Sequence, residues 1–262
     1  MKVPVYDLDG KQVENIDLPN VFDYAHKTEL IHRTVVAIQS NTYQPKGTDQ
    51  FAGERTSASS YQTGQGISRP ARVKRGTGPK AGTAAGVGSV VGGRISHPPV
   101  SSKKIKKKVN KKERRYALLS TISASTDKEI VMARGHKIDD VSVLPLVLTD
   151  DIESISNTRD LKNILLKLGL IDELSRISVS KKTSGTARLR GRTKKTRVGP
   201  IIVVSNNYGI LSATKNLTGV DSKKAKDLSA SDLAPGAKAG RLTIWSKSAL
   251  ENLPDVIYKM AN

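Results

Sequence analysis

Arginine, lysine and glycine are the residues in this chain whose types and spacing point to chemistry. Residues 69–99, RPARVKRGTGPKAGTAAGVGSVVGGRISHPP, hold six Lys or Arg and seven Gly with no carboxylate. Residues 176–200 hold nine Lys or Arg and again no acid. Guanidinium forks bond phosphate oxygens in pairs. The Gly, Ala, Ser and Thr between them let the backbone approach a phosphate chain closely, and glycine permits the irregular turns of a crooked path. The chemistry so marked is recognition of a polyanion.

The distribution of charge sharpens this. Residues 69–115 carry fifteen Lys or Arg against the single Glu113, a net of +14, and residues 176–200 carry +9. The whole chain is +20, so everything else is net −3. A near-neutral globule with two basic segments attracts nucleic acid or an anionic membrane surface.

Catalytic and metal chemistry find little support. No phosphate-binding G-x-x-x-x-G-K-[ST] motif occurs, and Gly86-Val87-Gly88-Ser89-Val90-Val91-Gly92 has one residue too many for a dinucleotide fingerprint and follows no strand. His26, His32, His97 and His136 lack the spacing of a metal site, and the chain has no cysteine. His26 and His32 are expected on the first helix. His97, inside the basic stretch, is a candidate for bonding phosphate or stacking on a base. Asp139-Asp140 and Asp150-Asp151 fall at loop edges, where capping is their expected work. No catalytic residue, cofactor or metal is therefore expected.

The elements that must position the basic segments can be read from periodicity. VPVYDLDGKQVENIDLP (residues 3–19) predicts a hairpin around Asp9-Gly10. Val21, Phe22, Ala25, Leu30, Ile31, Val35 and Ile38 predict an amphipathic helix over 21–40. Asn110 and Glu113 read as the N-cap and third position of the returning helix. A strand around 143–148 and a helix with Leu161, Ile164, Leu165 and Leu168, closed by Gly169, form a strand-to-helix unit. IIVVS (201–205) and RLTIW (241–245) read as buried parallel strands, with Ser248 and Glu251 spaced as a capping box for a last helix. The fold class is α/β: a doubly wound, mainly parallel sheet flanked by helices, with a long extended basic loop inserted between two helices. The expected organisation is a globular domain of 1–41 with 110–262, an extended loop of 42–109, and a basic insertion at 177–200 within the globular domain.

Fixing roughly 60 loop residues costs on the order of 1–2 kcal/mol each in backbone entropy, far more than a few valines return by burial. Order must come from a densely charged partner, where each neutralised phosphate releases counterions. Aromatic platforms for single strands are scarce, and no recognition helix for duplex DNA can be drawn through 69–99. Folded RNA fits. The candidate phosphate ligands of the loop are Arg55, Arg69, Arg72, Lys74, Arg75, Lys80, Arg94, Lys103 and Lys104, with His97. Arg114 and Arg115 anchor the returning helix. Arg188, Arg190, Arg192, Lys194, Lys195 and Arg197 form a second patch.

Two other classes compete. An α/β RNA-modifying enzyme, methyltransferase-like, would use the basic loops for substrate capture and needs a cofactor pocket at the carboxyl ends of the strands. A membrane-surface binder needs a basic amphipathic helix with large apolar residues, which 69–99 lacks. Asp7 and Asp9 stand where a signal peptide needs apolar residues, and no run of about 18 apolar residues occurs. A cytoplasmic protein is the expectation.

Arg72-Val73-Lys74-Arg75-Gly76-Thr77-Gly78, the Ala/Gly/Ser run after it, Ser96-His97-Pro98-Pro99 and Lys111-Lys112-Glu113-Arg114-Arg115-Tyr116-Ala117-Leu118 together resemble the L-four family of large-subunit ribosomal proteins. The insertion at 176–200 and the His-Pro-Pro motif resemble its archaeal and eukaryotic branch. The resemblance implies a non-enzymatic constituent of the large ribosomal subunit, whose partners are ribosomal RNA, neighbouring ribosomal proteins and, at the loop tip, the nascent peptide in the exit tunnel. It implies no membrane partner and no homo-oligomer. Arg75, Gly76, Thr77 and Gly78 match the family's tunnel tip. Bacterial members often carry a basic residue after this Gly; here Pro79 stands there, followed by Lys80.

Overall fold

The computed structural model describes residues 1–74 and 78–259. The chain divides into two units, Met1–Asn41 with Lys107–Asn262, and Thr42–Lys106.

The first unit opens with β1 (Lys2–Tyr6) and β2 (Gln12–Asp17), the expected antiparallel hairpin, with Lys2 opposite Asp17. Its reversal spans Asp7 to Lys11, closed by the Asp7 N–H donating to the Lys11 carbonyl at 2.9 Å. Gly10 sits at φ +79°, and a Cβ there would meet the Lys167 carbonyl oxygen at 2.9 Å, so no other residue fits the turn.

The first helix departs from expectation. α1 runs Thr28–Ser40, not from residue 21. Phe22 lies in a separate 3-10 turn, Asn20–Phe22, where its ring meets Trp245 edge-on at 5.7 Å. Ile31 and Val35 of α1 pack instead with Ala117, Ala230 and Ala234. One straight helix cannot serve both clusters, so the chain breaks between them, and the Lys27 N–H donates to Ser120 Oγ at 2.6 Å. His26 therefore precedes the helix, while His32 lies on it; both are exposed.

The second unit contributes β3 (Ala58–Ser59) and β4 (Arg72–Val73), then the chain re-enters the first at α2 (Lys111–Ser123). Asn110 has extended N-cap geometry, but its side chain makes no cap bond, and Glu113 pairs with Arg33 at 3.3 Å rather than closing a capping box. α3 (Lys128–Arg134) is capped by Asp127, which accepts from the Glu129 N–H at 2.9 Å, and stops at left-handed Gly135. β5 (Leu146–Leu148), α4 (Thr158–Lys167) and α5 (Ile171–Ser178) form the next crossover. The basic segment that follows is β6 (Lys181–Lys182), the short α6 (Thr186–Leu189) and β7 (Lys194–Lys195). Then come β8 (Ile201–Val204), α7 (Ile210–Thr214), β9 (Asp221–Lys224), α8 (Ala230–Leu233), β10 (Thr243–Ser246) and α9 (Lys247–Lys259).

The main sheet has the order β2-β1-β5-β10-β8-β9, parallel throughout except for β2. Strand alternation gives it two buried faces. Leu146, Leu148, Ile202, Val204 and Ile244 point into one core, with Leu161, Leu165 and Leu174. Val147, Ile201, Val203 and Trp245 point into the other, with Leu118, Ile122 and Leu250. This is the doubly wound α/β class. The last helix starts one residue before the expected cap: the Ser246 hydroxyl accepts from the Ala249 N–H at 3.3 Å, and Asp150 accepts from the Ser248 N–H at 2.8 Å. Ser248 and Glu251 thus form no capping box, because the strand's own last serine already caps the helix.

The Thr42–Lys106 unit is built differently. β3 and β4 pair antiparallel over two residues each, and Arg72 bridges to Ala84. None of its described residues is buried. The chain crosses itself where a Cβ on Gly53 would meet the Arg94 amide nitrogen at 2.6 Å, so the expected role of glycine in close backbone approach is realised within the unit itself.

Candidate nucleic-acid interface

Within the Thr42–Lys106 unit the cations divide into two kinds. Arg72 is half-buried and stitches the unit together: Nη1 donates to the Gly82 carbonyl at 2.9 Å, Nε to the Ser68 carbonyl at 3.2 Å and Nη2 to Ser68 Oγ at 2.8 Å. It also lies over the Tyr61 ring at 5.9 Å. Arg55 pairs with Asp49 at 2.6 Å and Arg94 with Glu54 at 3.6 Å. Arg69, Lys74, Lys80, Lys103 and Lys104 are exposed, as is His97. By sequence all of these form one class; the geometry separates holders of the loop from cations that face outward. Of the tip, Arg75, Gly76 and Thr77 lie outside the described residues, and Gly78 and Pro79 are exposed.

In the first unit, exposed Arg114 and half-buried Arg115 line a cleft of about 340 Å³ with Lys111 and Lys226, over Leu118 and Leu228. The 177–200 segment is a hairpin in which Arg188, Arg190, Arg192, Lys194, Lys195 and Arg197 are all exposed.

A buried network holds the root of that hairpin. Arg176 grips Glu173 through Nε to Oε2 at 2.7 Å and Nη2 to Oε1 at 2.6 Å, and Nη2 also reaches the Val198 carbonyl at 2.7 Å. The helix that leads into the hairpin and the segment that returns from it are thereby tied to one carboxylate. Glu173 further accepts from His136 Nδ1 at 2.7 Å and from the Lys137 N–H at 3.1 Å. The Leu242 N–H donates to His136 Nε2 at 3.4 Å, which puts the ring proton on Nδ1 and satisfies a neutral imidazole. Beside it, Arg241 is buried: Nε donates to the Gly199 carbonyl at 2.8 Å, Nη1 to the Asp232 carbonyl at 2.8 Å, and Nη2 to the Asp221 carboxylate. Burial pulls His136 below its ordinary value, against the opposing pull of Glu173. Burial also opposes the Glu173 charge, but the bonds from Arg176 and His136 outweigh it and hold that carboxyl at about 2.

Of this clamp the sequence marks only His136, as one of four histidines without the spacing of a metal site. By sequence Arg176 falls in the basic 176–200 segment, and Glu173 three residues before it has the spacing of a surface helix pair. The available signal is Glu173 between apolar Leu170, which leads into α5, and Leu174 on it.

At the carboxyl ends of the parallel strands, where a doubly wound enzyme binds its ligand, lies buried Glu153. Oε1 accepts from the Ser205 N–H at 2.7 Å, the Ser246 hydroxyl at 2.8 Å and the Ser248 hydroxyl at 3.3 Å; Oε2 accepts from the Asn206 N–H at 3.1 Å. The carboxylate ties the ends of β8 and β10 together. We expect Glu153→Gln, which turns an amide donor toward one of these donors, to lower stability by about 1–3 kcal/mol, seen as a lower urea midpoint with an unchanged slope. Among the described residues, no group of three or more His, Cys, Asp or Glu could hold a metal ion, and no helix is long and apolar enough to cross a membrane.

A doubly wound α/β unit with a basic hairpin on a buried clamp, and a second unit with no buried residue among those described, define a protein of the polyanion-binding class. Residues 16–256 match the ribosomal protein L4/L1 family. The chain is 40% identical over 259 residues to large ribosomal subunit protein uL4 of Methanosphaera stadtmanae, covering 98% of both chains. It is 43% identical over 254 residues to uL4 of Methanococcus maripaludis strain C6 (97% of this chain, 98% of that protein), and 38% identical over 260 residues to uL4 of Saccharolobus solfataricus (98% and 96%). The chain belongs to the ribosomal protein L4/L1 family.

Proposed function

We propose that this chain is a non-enzymatic, structural constituent of the large ribosomal subunit. It binds ribosomal RNA through its two basic segments, and the 42–109 loop reaches the peptide exit tunnel, with Arg75 to Gly78 at the tip beside the nascent peptide. The observation that carries this reading is the Thr42–Lys106 unit: rich in cations, without a single buried described residue, and lying in a chain that matches uL4 proteins nearly end to end. Such a segment gains order from an enclosing polyanion rather than from a core. Arg69, Lys74, Lys80, Lys103 and Lys104 bond phosphates; Arg55, Arg72 and Arg94 shape the loop and add contacts at its flanks. Arg114, Arg115 and the hairpin cations bind from the first unit. The protein forms no homo-oligomer and acts beside other ribosomal proteins.

Sedimentation of cell extract through a gradient at raised salt tests this. The chain is expected to stay with large subunits. A chain found only in the free-protein fractions overturns the reading.

A further inference from the structure

The register of the basic hairpin is unusual. β6 and β7 pair antiparallel with Lys181 opposite Lys195 and Lys182 opposite Lys194. All four are exposed, and no acid occurs from 176 to 200. Like charges directly opposite each other oppose strand pairing, and a two-stranded ladder has little stability in reserve. The ladder is nevertheless held at both ends. At the root, Arg176 ties Val198 to Glu173. Toward the tip, the Thr183 N–H donates to the Thr193 carbonyl at 3.0 Å and the Arg192 N–H to the Ala187 carbonyl at 3.0 Å.

Successive side chains of a strand point to opposite faces, and directly opposed residues share one. Lys181 and Lys195 therefore stand together on one face, and Lys182 and Lys194 on the other. A phosphate strand on one face relieves only one of the two repulsive pairs. Resting on the ribosomal reading above, we propose that the 181–195 hairpin is a two-faced wedge seated between two phosphate strands of ribosomal RNA, one against Lys181 and Lys195, the other against Lys182 and Lys194. The exposed Arg188, Arg190 and Arg192 lead it in, and the buried clamp fixes its root. Pairing of the hairpin is strained in the free protein and stabilised by the RNA.

The test uses the full chain, purified large-subunit ribosomal RNA and a salt series, with variants K181Q/K195Q, K182Q/K194Q and the fourfold combination. Each double variant is expected to lower the slope of log affinity against log salt by about 1.4 to 1.8, and the fourfold variant by the sum, because the pairs touch separate phosphates. K181R/K195R keeps the wild-type slope. In the free protein the effect reverses: each double variant slows hydrogen exchange at the Thr183 amide, since one of the two repulsive pairs across the ladder is gone. A slope that changes for only one pair, or for neither, overturns the wedge, as does unslowed exchange at Thr183. If wild-type protein binds the RNA and loop variants weaken it while the hairpin variants do not, the wedge fails and the ribosomal reading stands. Failure of wild-type binding sinks that reading itself.

Discussion

Raising monovalent salt from about 50 to about 200 mM is expected to lower the equilibrium affinity of the full chain for isolated large-subunit ribosomal RNA by roughly 10³- to 10⁵-fold, read by filter binding. The expectation follows from the number of outward cations. Arg69, Lys74, Lys80, Lys103 and Lys104 in the Thr42–Lys106 unit, Arg114 on α2 and the hairpin side chains are all exposed. Each that meets a phosphate releases counterions, and six to ten such contacts give a loss of this size. Replacing the five outward loop cations by alanine should reduce the salt slope by about 4. Arg72→Ala should act otherwise: three of its five N–H donors are held by Gly82 and Ser68, so the loop loosens while the slope changes by less than one contact's worth. A wild-type slope near zero would remove the polyanion from the account. Persistence in assembled subunits at high salt is compatible with this, because a chain threaded through folded RNA leaves only when that RNA opens.

How far this was legible in the sequence depended on the range of the forces involved. The two-faced sheet showed itself in IIVV and LTIW because burial on both sides removes the alternation that one solvated face imposes, and Ile201–Val204 and Thr243–Ser246 are indeed wholly buried. The start of α1 was misplaced because periodicity is local: Val21 and Phe22 continue the apolar rhythm of the helix, yet Phe22 serves Trp245 on the sheet rather than α1. Ser248 failed as a cap for a related reason, since the strand-ending Ser246 had already taken the role through contacts with Glu153. Of the site, the cations were visible in composition because like charge without nearby acid is a local pattern. Their division into loop-shaping and outward groups was not, since Arg72 meets Gly82 only after the chain has turned back on itself. The clamp was least visible of all: His136, Glu173 and Arg241 are far apart in sequence, and only burial converts them from ordinary polar residues into a unit.

That unit carries the largest expected effect on stability. Glu173→Ala is expected to lower the unfolding free energy by about 3–5 kcal/mol, because Arg176 is left largely buried and His136 fully so without the carboxylate that pairs them. Denaturation by urea measures it, and a loss below about 1 kcal/mol would mean that the network is solvated in solution. The same residues set a pH dependence with a definite sign. The Glu173 carboxyl is held at about 2 in the folded chain against an ordinary 4.5, so its contribution is complete above 4.5 and is lost as pH falls from there toward 2. A shift of that size corresponds to about 3 kcal/mol. His136 is buried neutral and lowered from 6.5, so its contribution is complete above 6.5 and declines as the unfolded chain takes up the proton below it. Both slopes have the same direction: wild-type stability falls with pH from about 6.5 downward, more steeply below 4.5. In Glu173→Ala the steep lower segment should flatten. Because Arg176 links Glu173 to Val198, the variant should also speed proteolysis between 181 and 197 more than elsewhere in the first unit, a local loosening that a uniform loss of stability does not produce.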